Sequence, residues 1–179
     1  MVGRFVEQLV PLGDSPLAQH VAAAAPDAAT GARVPVQEEA SRWLRRAIDS
    51  IDRGRVVVID YTATTADLAS RPWGEWLRTY RVHDHGGHPL ERPGTQDITC
   101  EVAVDQLGRV RSPDGVETQA TFLARFGIDE LVEEGRRRWT ERAHIGDLEA
   151  IEGRSRIREA EALCEVGGLG DFGVLTWEC

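Results

Sequence analysis

The residues best suited to contact a ligand are Asp60 and Tyr61, which directly follow the run Gly-Arg-Val-Val-Val-Ile at residues 54–59. The run is short and rich in β-branched residues, which is typical of a strand buried on both faces of a parallel sheet. Ligands of open α/β sheets bind at the carboxyl ends of such strands. Asp60 and Tyr61 are therefore predicted to line a cofactor or substrate cleft. The alternative is that Asp60 caps the following turn and Tyr61 packs beneath it.

A second polar group lies further along the chain. Arg78 could hold a carboxylate with two parallel hydrogen bonds, and His83 could act as a base or orient a substrate. The alternative is a structural network in which Arg78 pairs with Asp97 and pins the intervening loop. Asp97 and Thr99 could touch a ligand or, as we favour, cap a helix. Together with Tyr80, these residues complete the set of candidates for the cleft.

A histidine-rich stretch, His83-Asp84-His85 followed by His88, raises the question of a metal site. Imidazole and carboxylate groups at this spacing could bind zinc or nickel. Flexible histidine-rich loops are more often simply solvated, and we predict no metal site. Elsewhere, Gln119 at a helix start is expected to bond to the backbone, and the run at residues 136–138 is expected to be a solvated, charge-paired helix face.

The elements that must position these residues can be read from hydrophobic periodicity and capping signals. Ser15 and Pro16 predict the start of a helix that runs to Ala25, after an extended or strand-like segment at residues 1–12. Apolar residues at steps of three and four predict a helix over residues 37–52, ended by Gly54. Further helices are predicted over 117–125 and 128–164, the latter interrupted near 145–146, and a glycine-rich turn precedes a final strand at the carboxyl end.

Composition excludes several classes of function. The 179-residue chain has a net charge of −9, which disfavours binding to a nucleic-acid backbone. All 21 basic residues are arginine, because the sequence contains no lysine. No apolar run is long enough for a membrane span, and three widely spaced cysteines predict neither disulfides nor zinc ligation. No secretory signal is recognised, so we expect a cytoplasmic protein.

Five stretches, in the same order, resemble the MidA-like family of S-adenosylmethionine-dependent methyltransferases. Its mitochondrial member resembles a protein arginine methyltransferase that assists assembly of respiratory complex I. The stretches are Arg55–Tyr61, Leu77–Tyr80 with His83, Pro93-Gly94 with Asp97–Thr99, Thr118-Gln119 with Phe122-Leu123 and Gly127-Ile128, and Gly168–Leu175. One departure is Thr62, which stands where the family usually has glycine; a β-branched residue there disfavours a close backbone contact with a ligand.

The resemblance implies an α/β fold, a partial class I methyltransferase (Rossmann-like) sheet with added helices that lacks the first strands. It implies one domain over residues 1–179, corresponding to the carboxyl-terminal part of the family. The implied cofactor is S-adenosyl-L-methionine and the implied reaction is protein arginine methylation. The family's Gly-rich cofactor loop, its ribose-binding acidic residue and its Asn-Glu motif have no counterpart here. The glycines at 167–173 precede a last strand, which is the wrong context for a cofactor loop.

Two interpretations of the chain follow. In the first, it is part of an enzyme, binds the cofactor weakly or not at all alone, and requires a complementing amino-terminal chain or a homo-oligomer to act on a protein substrate. In the second, it is a degenerate, non-catalytic interaction module. Arginine methylation needs a carboxylate to orient the guanidinium as it loses a proton, and Asp60 could help only if it faces the same cleft.

Overall fold

The chain divides into two units, each built from two separate stretches of the sequence. The computed structural model describes residues 5–82 and 84–179. The first unit holds residues 5–46 and 62–112, and the second holds residues 47–61 and 113–179.

Local sequence signals account for the helices. These are α1 Pro16–Ala24, α2 Glu38–Asp49, α3 Thr65–Ser70, α4 Trp73–Trp76, α5 Val104–Gly108, α6 Gln119–Arg125, α7 Ile128–Arg142 and α8 Leu148–Leu163. The side chain of Ser15 accepts a hydrogen bond from the backbone N–H of Ala18 at 3.1 Å, which confirms the predicted cap of α1. The predicted interruption near residues 145–146 is also confirmed, because it separates α7 from α8. None of the described helices is both apolar and long enough to cross a bilayer.

The strands are β1 Arg55–Asp60, β2 Thr62–Ala63, β3 Leu77–Arg81, β4 Asp84–His85, β5 Asp97–Cys100, β6 Val102–Ala103, β7 Gly115–Thr118 and β8 Gly173–Glu178. They form an antiparallel sheet in the order β1-β8-β7, a second antiparallel sheet in the order β4-β3-β5, and a short parallel pair of β2 with β6. The strand predicted within residues 1–12 is wrong for its described part: residues 5–10 have no regular structure and their side chains are exposed.

In the first unit, the core is the cluster of Leu68, Trp76 and Ala103. The glutamine side chain of Gln37 ties the start of α2 to this core. Its Nε2 donates to the carbonyl of Glu101 at 2.6 Å, and its Oε1 accepts from the N–H of Ala103 at 2.8 Å. A buried polar side chain satisfied in this way fixes the position of α2 without leaving an unpaired group in the core.

The second unit is organised around strand β8. Val174, Leu175 and Trp177 are all fully buried, and β8 lies between β1 and β7. Strand β1 pairs only with β8 among the described residues, and antiparallel to it. The parallel neighbour that the apolar run predicts for β1 is therefore absent from the described part of the chain. A run of β-branched residues does not by itself distinguish burial on both faces from burial on one.

One face of β1 is open. Val57 and Ile59 are 40% and 44% exposed, whereas their cross-strand partners Thr176 and Val174 are buried. The apolar surface of the sheet therefore extends beyond the part that this chain covers. Val56, on the other face, is buried.

Helices α7 and α8 pack against each other through two glycines. A Cβ atom added at Gly153 would lie 2.7 Å from the carbonyl oxygen of Gly135, and one added at Gly135 would lie 2.8 Å from that of Gly153. Neither glycine has a positive φ, so their role is close approach rather than an unusual backbone conformation. The two helix backbones meet at this point.

Acidification is expected to destabilise the second unit through Asp147, the N-cap of α8. Hydrogen bonds from the Arg142 guanidinium, and next from the backbone N–H of Ala150, hold the pKa of this carboxyl below its usual value. A lowered pKa in the folded state contributes stability above the unfolded pKa, and this contribution is lost as pH falls through the folded pKa. The loss should therefore develop below about pH 4.

Urea unfolding at neutral and acidic pH tests this expectation. Asp147→Asn should be less stable than the natural sequence at neutral pH and should lose less stability on acidification. Asp27→Asn, in an exposed loop of the first unit, is the control and should leave the pH dependence unchanged. If Asp147→Asn shows the full acid sensitivity, the Arg142 pairing does not contribute to it.

Candidate functional site

Four of the predicted site residues lie on one face of the β4-β3-β5 sheet. The pairing of β3 with β5 places Arg78 opposite Thr99 and Tyr80 opposite Asp97. Residues two apart on a strand share a face, so all four side chains project to the same side. Asp97 and Thr99 belong to a strand, and the expectation that they cap a helix is therefore wrong.

Arg78 is held by Glu101 and not by Asp97. Its Nη2 lies 3.4 Å from Oε1 of Glu101, and its Nε donates to the backbone carbonyl of Glu75 at 3.0 Å. The predicted Arg78–Asp97 pair is therefore wrong. In the β3–β5 register Asp97 faces Tyr80, two residues beyond Arg78, whereas Glu101 lies just past the end of β5 next to the Arg78 guanidinium.

Glu101 is the central residue that the sequence analysis missed. Its side chain is 11% exposed. It also accepts hydrogen bonds from both terminal nitrogens of Arg71, and the distance from Nη2 to Oε2 is 2.6 Å. The hydrogen bond to this carboxylate raises the pKa of Arg71, which keeps the guanidinium charged. One signal could have identified Glu101: it is the only charged residue in the run from Ile98 to Val104, and a carboxylate in such a run is usually buried and paired.

A cleft of about 420 Å³ adjoins Arg78. Its wall includes Trp73, Leu77, His85 and His88, and none of the described residues that line it is a carboxylate. The guanidinium of Arg78 keeps its charge and is oriented by Glu101, which suits it to bind an acceptor oxygen or anion rather than to transfer protons. The cleft can therefore position a ligand but offers no carboxylate base.

The loop that closes this cleft is fixed by Thr79. The backbone N–H of Gly86 donates to the Thr79 carbonyl at 2.7 Å, and the Thr79 hydroxyl donates to the carbonyl of Gly87 at 2.7 Å. A Cβ at Gly86 would lie 2.7 Å from Thr79 Oγ1, so only glycine fits there.

The His88 ring, which lines the same cleft, contacts the Trp73 ring edge-on, with ring centroids 5.5 Å apart, and its Nδ1 accepts a hydrogen bond from the N–H of Leu90. Nε2 is therefore the protonated nitrogen when this ring is neutral.

Asp60 and Tyr61 belong to the second unit, whereas the other described candidates belong to the first. Asp60 Oδ1 accepts the backbone N–H of Tyr61 at 2.7 Å, and the Tyr61 ring packs 4.1 Å from that of Phe172. These contacts agree with the structural alternative given above, in which Asp60 caps the end of the strand and the Tyr61 ring is packed. The Tyr61 side chain nevertheless remains 48% exposed, and the role of both residues in a ligand cleft stays a prediction.

The remaining sequence-based candidates divide as follows. His83 lies outside the described residues. Within those residues, no three His, Cys, Asp or Glu side chains are grouped so that they could hold a metal ion. Gln119 donates from Nε2 to the carbonyl of Leu163 at 2.9 Å, which confirms a backbone-bonding role. The arginines at 136–138 pair with Glu133, Glu141 and Glu134, which confirms the charge-paired helix face.

Comparison with known proteins gives this geometry a context. Residues 2–121 match the family described as “Putative S-adenosyl-L-methionine-dependent methyltransferase”. The chain belongs to this family. No curated protein matches it significantly.

Two solved structures share the fold. One is a COG1565 superfamily member from Burkholderia thailandensis bound to S-adenosyl-homocysteine, with a TM-score of 0.74 and 21% identity over 95% of this chain. The other is a native structure of a COG1565 superfamily protein from the same organism, with a TM-score of 0.70 and 20% identity, again over 95% of this chain. The chain spans 43% and 44% of their lengths. The predicted fold class, an α/β partial methyltransferase sheet with added helices, is confirmed.

The described residues can be compared with the site that a class I methyltransferase uses to hold its cofactor. Class I sheets hold the cofactor at a glycine-rich turn between a parallel strand and a helix. In the described chain, parallel pairing is confined to the two-residue strands β2 and β6. The segment at 167–170 joins α8 to β8, and a Cβ at Gly170 would lie 2.6 Å from the Cys164 carbonyl oxygen. Gly170 therefore serves packing, and the described residues do not by themselves fit the cofactor.

Proposed function

We propose that this chain is the carboxyl-terminal part of a MidA-like protein arginine methyltransferase. In this proposal, cofactor binding requires additional strands, supplied by more of the same polypeptide, by a complementing amino-terminal chain or by a second copy. The activity is the one that the sequence resemblance implies. The family match and the shared fold support the coarser part of the proposal, methyltransferase ancestry.

The open side of β1 is the observation that best supports incompleteness. Val57 and Ile59 are exposed on a strand whose neighbour β8 is buried on both faces. Because both side chains are already more than half buried, covering the remainder would supply roughly 0.5–1.5 kcal/mol each, a fraction of the value for full burial. A sheet continued beyond β1, with a layer packed on its face, would recover that energy and place the end of β1 inside the domain.

Asp60 is then the residue of this chain best placed to contact the methyl acceptor. Only one of its carboxylate oxygens is occupied among the described residues, by the N–H of Tyr61. The second oxygen can accept a hydrogen bond from a substrate guanidinium and fix the direction of its nitrogen. Orientation of this kind is a large part of what a methyl transfer requires of the protein.

Calorimetric titration with S-adenosyl-homocysteine tests the proposal. As a monomer, the 179-residue chain should show no binding at micromolar concentrations of the compound. A longer polypeptide that extends through the in-frame sequence upstream of residue 1 should bind it. With S-adenosyl-L-methionine as the methyl donor, that polypeptide should add a methyl group to arginine-containing protein, as detected by mass spectrometry. Asp60→Asn in that longer protein should reduce methylation and leave cofactor binding unchanged.

Two variants of the longer protein examine the role of β1. Val57→Arg should abolish cofactor binding because it places a charge on the face to be covered. Val116→Arg, at a 60% exposed position of β7 in the same sheet, should not. Micromolar binding by the monomeric 179-residue chain would refute the proposal. Absence of binding by both forms would favour the non-catalytic interaction module.

A further inference from the structure

A second cleft, of about 440 Å³, lies in the first unit between α1, the start of α2 and α5. None of its lining residues belongs to the cleft beside Arg78. Its polar side includes His20, Arg45 and Arg109, and its apolar side includes Leu17, Val36 and Val110. The volume falls in the range of small-molecule sites, roughly 300–1,000 Å³.

The arginines that line this cleft outnumber its carboxylates, because Glu38 is the one acidic residue among the described residues of the lining, against Arg42, Arg45 and Arg109. No carboxylate of the described residues forms an ion pair with Arg45 or Arg109. Arg42, on the same helix as Arg45, differs because it pairs with Glu39 at 2.5 Å and also lies near Glu38. The contrast is notable in a chain of net charge −9, where acidic partners are abundant.

Arg109 instead contacts the imidazole ring of His20. Its Nη1 contacts both ring nitrogens of His20, and a guanidinium can only donate hydrogen bonds. An imidazole is a weaker partner for a guanidinium than an oxyanion, which can take two parallel charge-assisted hydrogen bonds. An anion entering the cleft would therefore improve the bonding of Arg109 and reduce its repulsion from Arg45.

The floor of the cleft is rigid. Gln106 is buried, its Oε1 accepts from the N–H of Gln37 at 2.9 Å, and its Nε2 donates to the carbonyl of Pro35 at 2.8 Å and to Thr65 Oγ1 at 3.0 Å. These bonds join the loop before α2 to α3 and α5. The residues around the cationic groups are thus held in place before any ligand arrives, which lowers the entropic cost of binding.

We propose that this cleft binds a small molecule that carries a phosphate or carboxylate group. Arg45 and Arg109 bind the oxyanion, and Leu17, Val36 and Val110 contact the less polar part of the ligand. The site is independent of the methyltransferase proposal, because it uses none of the residues assigned to the cofactor or the methyl acceptor.

Titration calorimetry with pyrophosphate and with citrate tests the site and distinguishes the two anion classes. We expect at least one of them to bind the 179-residue chain with a dissociation constant below about 1 mM. Arg45→Gln and Arg109→Gln should each weaken that binding about tenfold, because each removes a charge-assisted contact. Both side chains are exposed, so neither change should impair folding.

Arg136→Gln, on the solvated face of α7, is the matched control because it removes the same charge from the other unit. It should leave the affinity within about twofold, since long-range effects of an exposed charge are screened by salt. If Arg136→Gln weakens anion binding as much as the cleft variants do, the anion is attracted by the overall charge of the protein and the proposed site is overturned. Failure of both anions to bind, or full binding by Arg109→Gln, would overturn it as well.

Discussion

A Gly153→Ala variant is expected to lose about 3 kcal/mol of unfolding free energy, although alanine ordinarily favours a helix over glycine by about 1 kcal/mol. The new methyl group would lie 2.7 Å from the Gly135 carbonyl oxygen and 3.1 Å from the Arg138 Cβ. Both obstacles are close to the backbone and cannot rotate away. Helices α7 and α8 would have to move apart and lose the packing between them.

Urea unfolding followed by far-UV circular dichroism measures this loss. Gly108→Ala is the matched control: Gly108 ends α5, and a Cβ atom there would meet nothing within 4 Å. It should be neutral or slightly stabilising. Gly135→Ala should resemble Gly153→Ala, since its methyl group would lie 2.8 Å from the facing carbonyl oxygen. Unchanged or increased stability in Gly153→Ala would mean that the two helices are not held in contact at this point.

A Glu101→Gln variant is expected to lower the free energy of unfolding by about 2 kcal/mol. The carboxylate is the common acceptor for Arg71 and Arg78, and an amide has one acceptor oxygen and no charge. The loss should be smaller than for a fully buried pair, because both arginine side chains are 33% exposed and regain part of their hydration. The variant should also free Arg78 from its fixed orientation beside the 420 Å³ cleft.

The comparison for this variant is Glu133→Gln, which removes an exposed ion pair to Arg136 on α7. Pairs of that kind contribute roughly 0–1 kcal/mol, so the control should scarcely change the urea midpoint. Similar losses in both variants would mean that Glu101 contributes no more than a surface charge. The assignment of Glu101 as the residue that positions Arg78 would then be wrong.

Features fixed by neighbouring residues could be predicted from the sequence. The cap of α1 by Ser15 and the interruption between α7 and α8 both depend on signals within a few positions. Each of these signals indicates where a backbone donor or acceptor at a helix end finds a hydrogen-bond partner. That requirement is the same in every fold.

Features fixed by distant contacts could not be predicted in this way. Glu101 joins Arg71 from 30 residues away, and the contact of Gly135 with Gly153 depends on how two helices cross. The residues of β7 carry turn signals around Gly115, and only the pairing with β8 makes them a strand. The apolar run of β1 predicted a strand correctly but could not show which neighbour it would have.

The candidate site shows the same division. The resemblance to the MidA-like family singled out Arg78, Tyr80, Asp97 and Thr99, and the β3–β5 register places them on one face. The partner of Arg78 was assigned incorrectly, because the choice between two nearby carboxylates depends on strand register and burial rather than on residue type. The cationic cleft around Arg45 and Arg109 was missed entirely, since it joins three helices that are far apart in sequence.

In the part of the chain that the structure describes, β1 is paired along one edge only, and this affects how the chain would survive in a cell. An apolar strand with a vacant edge is a template for pairing with any other extended polypeptide, and quality-control machinery recognises such surfaces. If the additional strands proposed above come from a separate chain, this chain alone would be aggregation-prone and quickly degraded. Its abundance would then follow that of its partner, so pulse-chase turnover in cells with and without that partner would report assembly without any assay of catalysis.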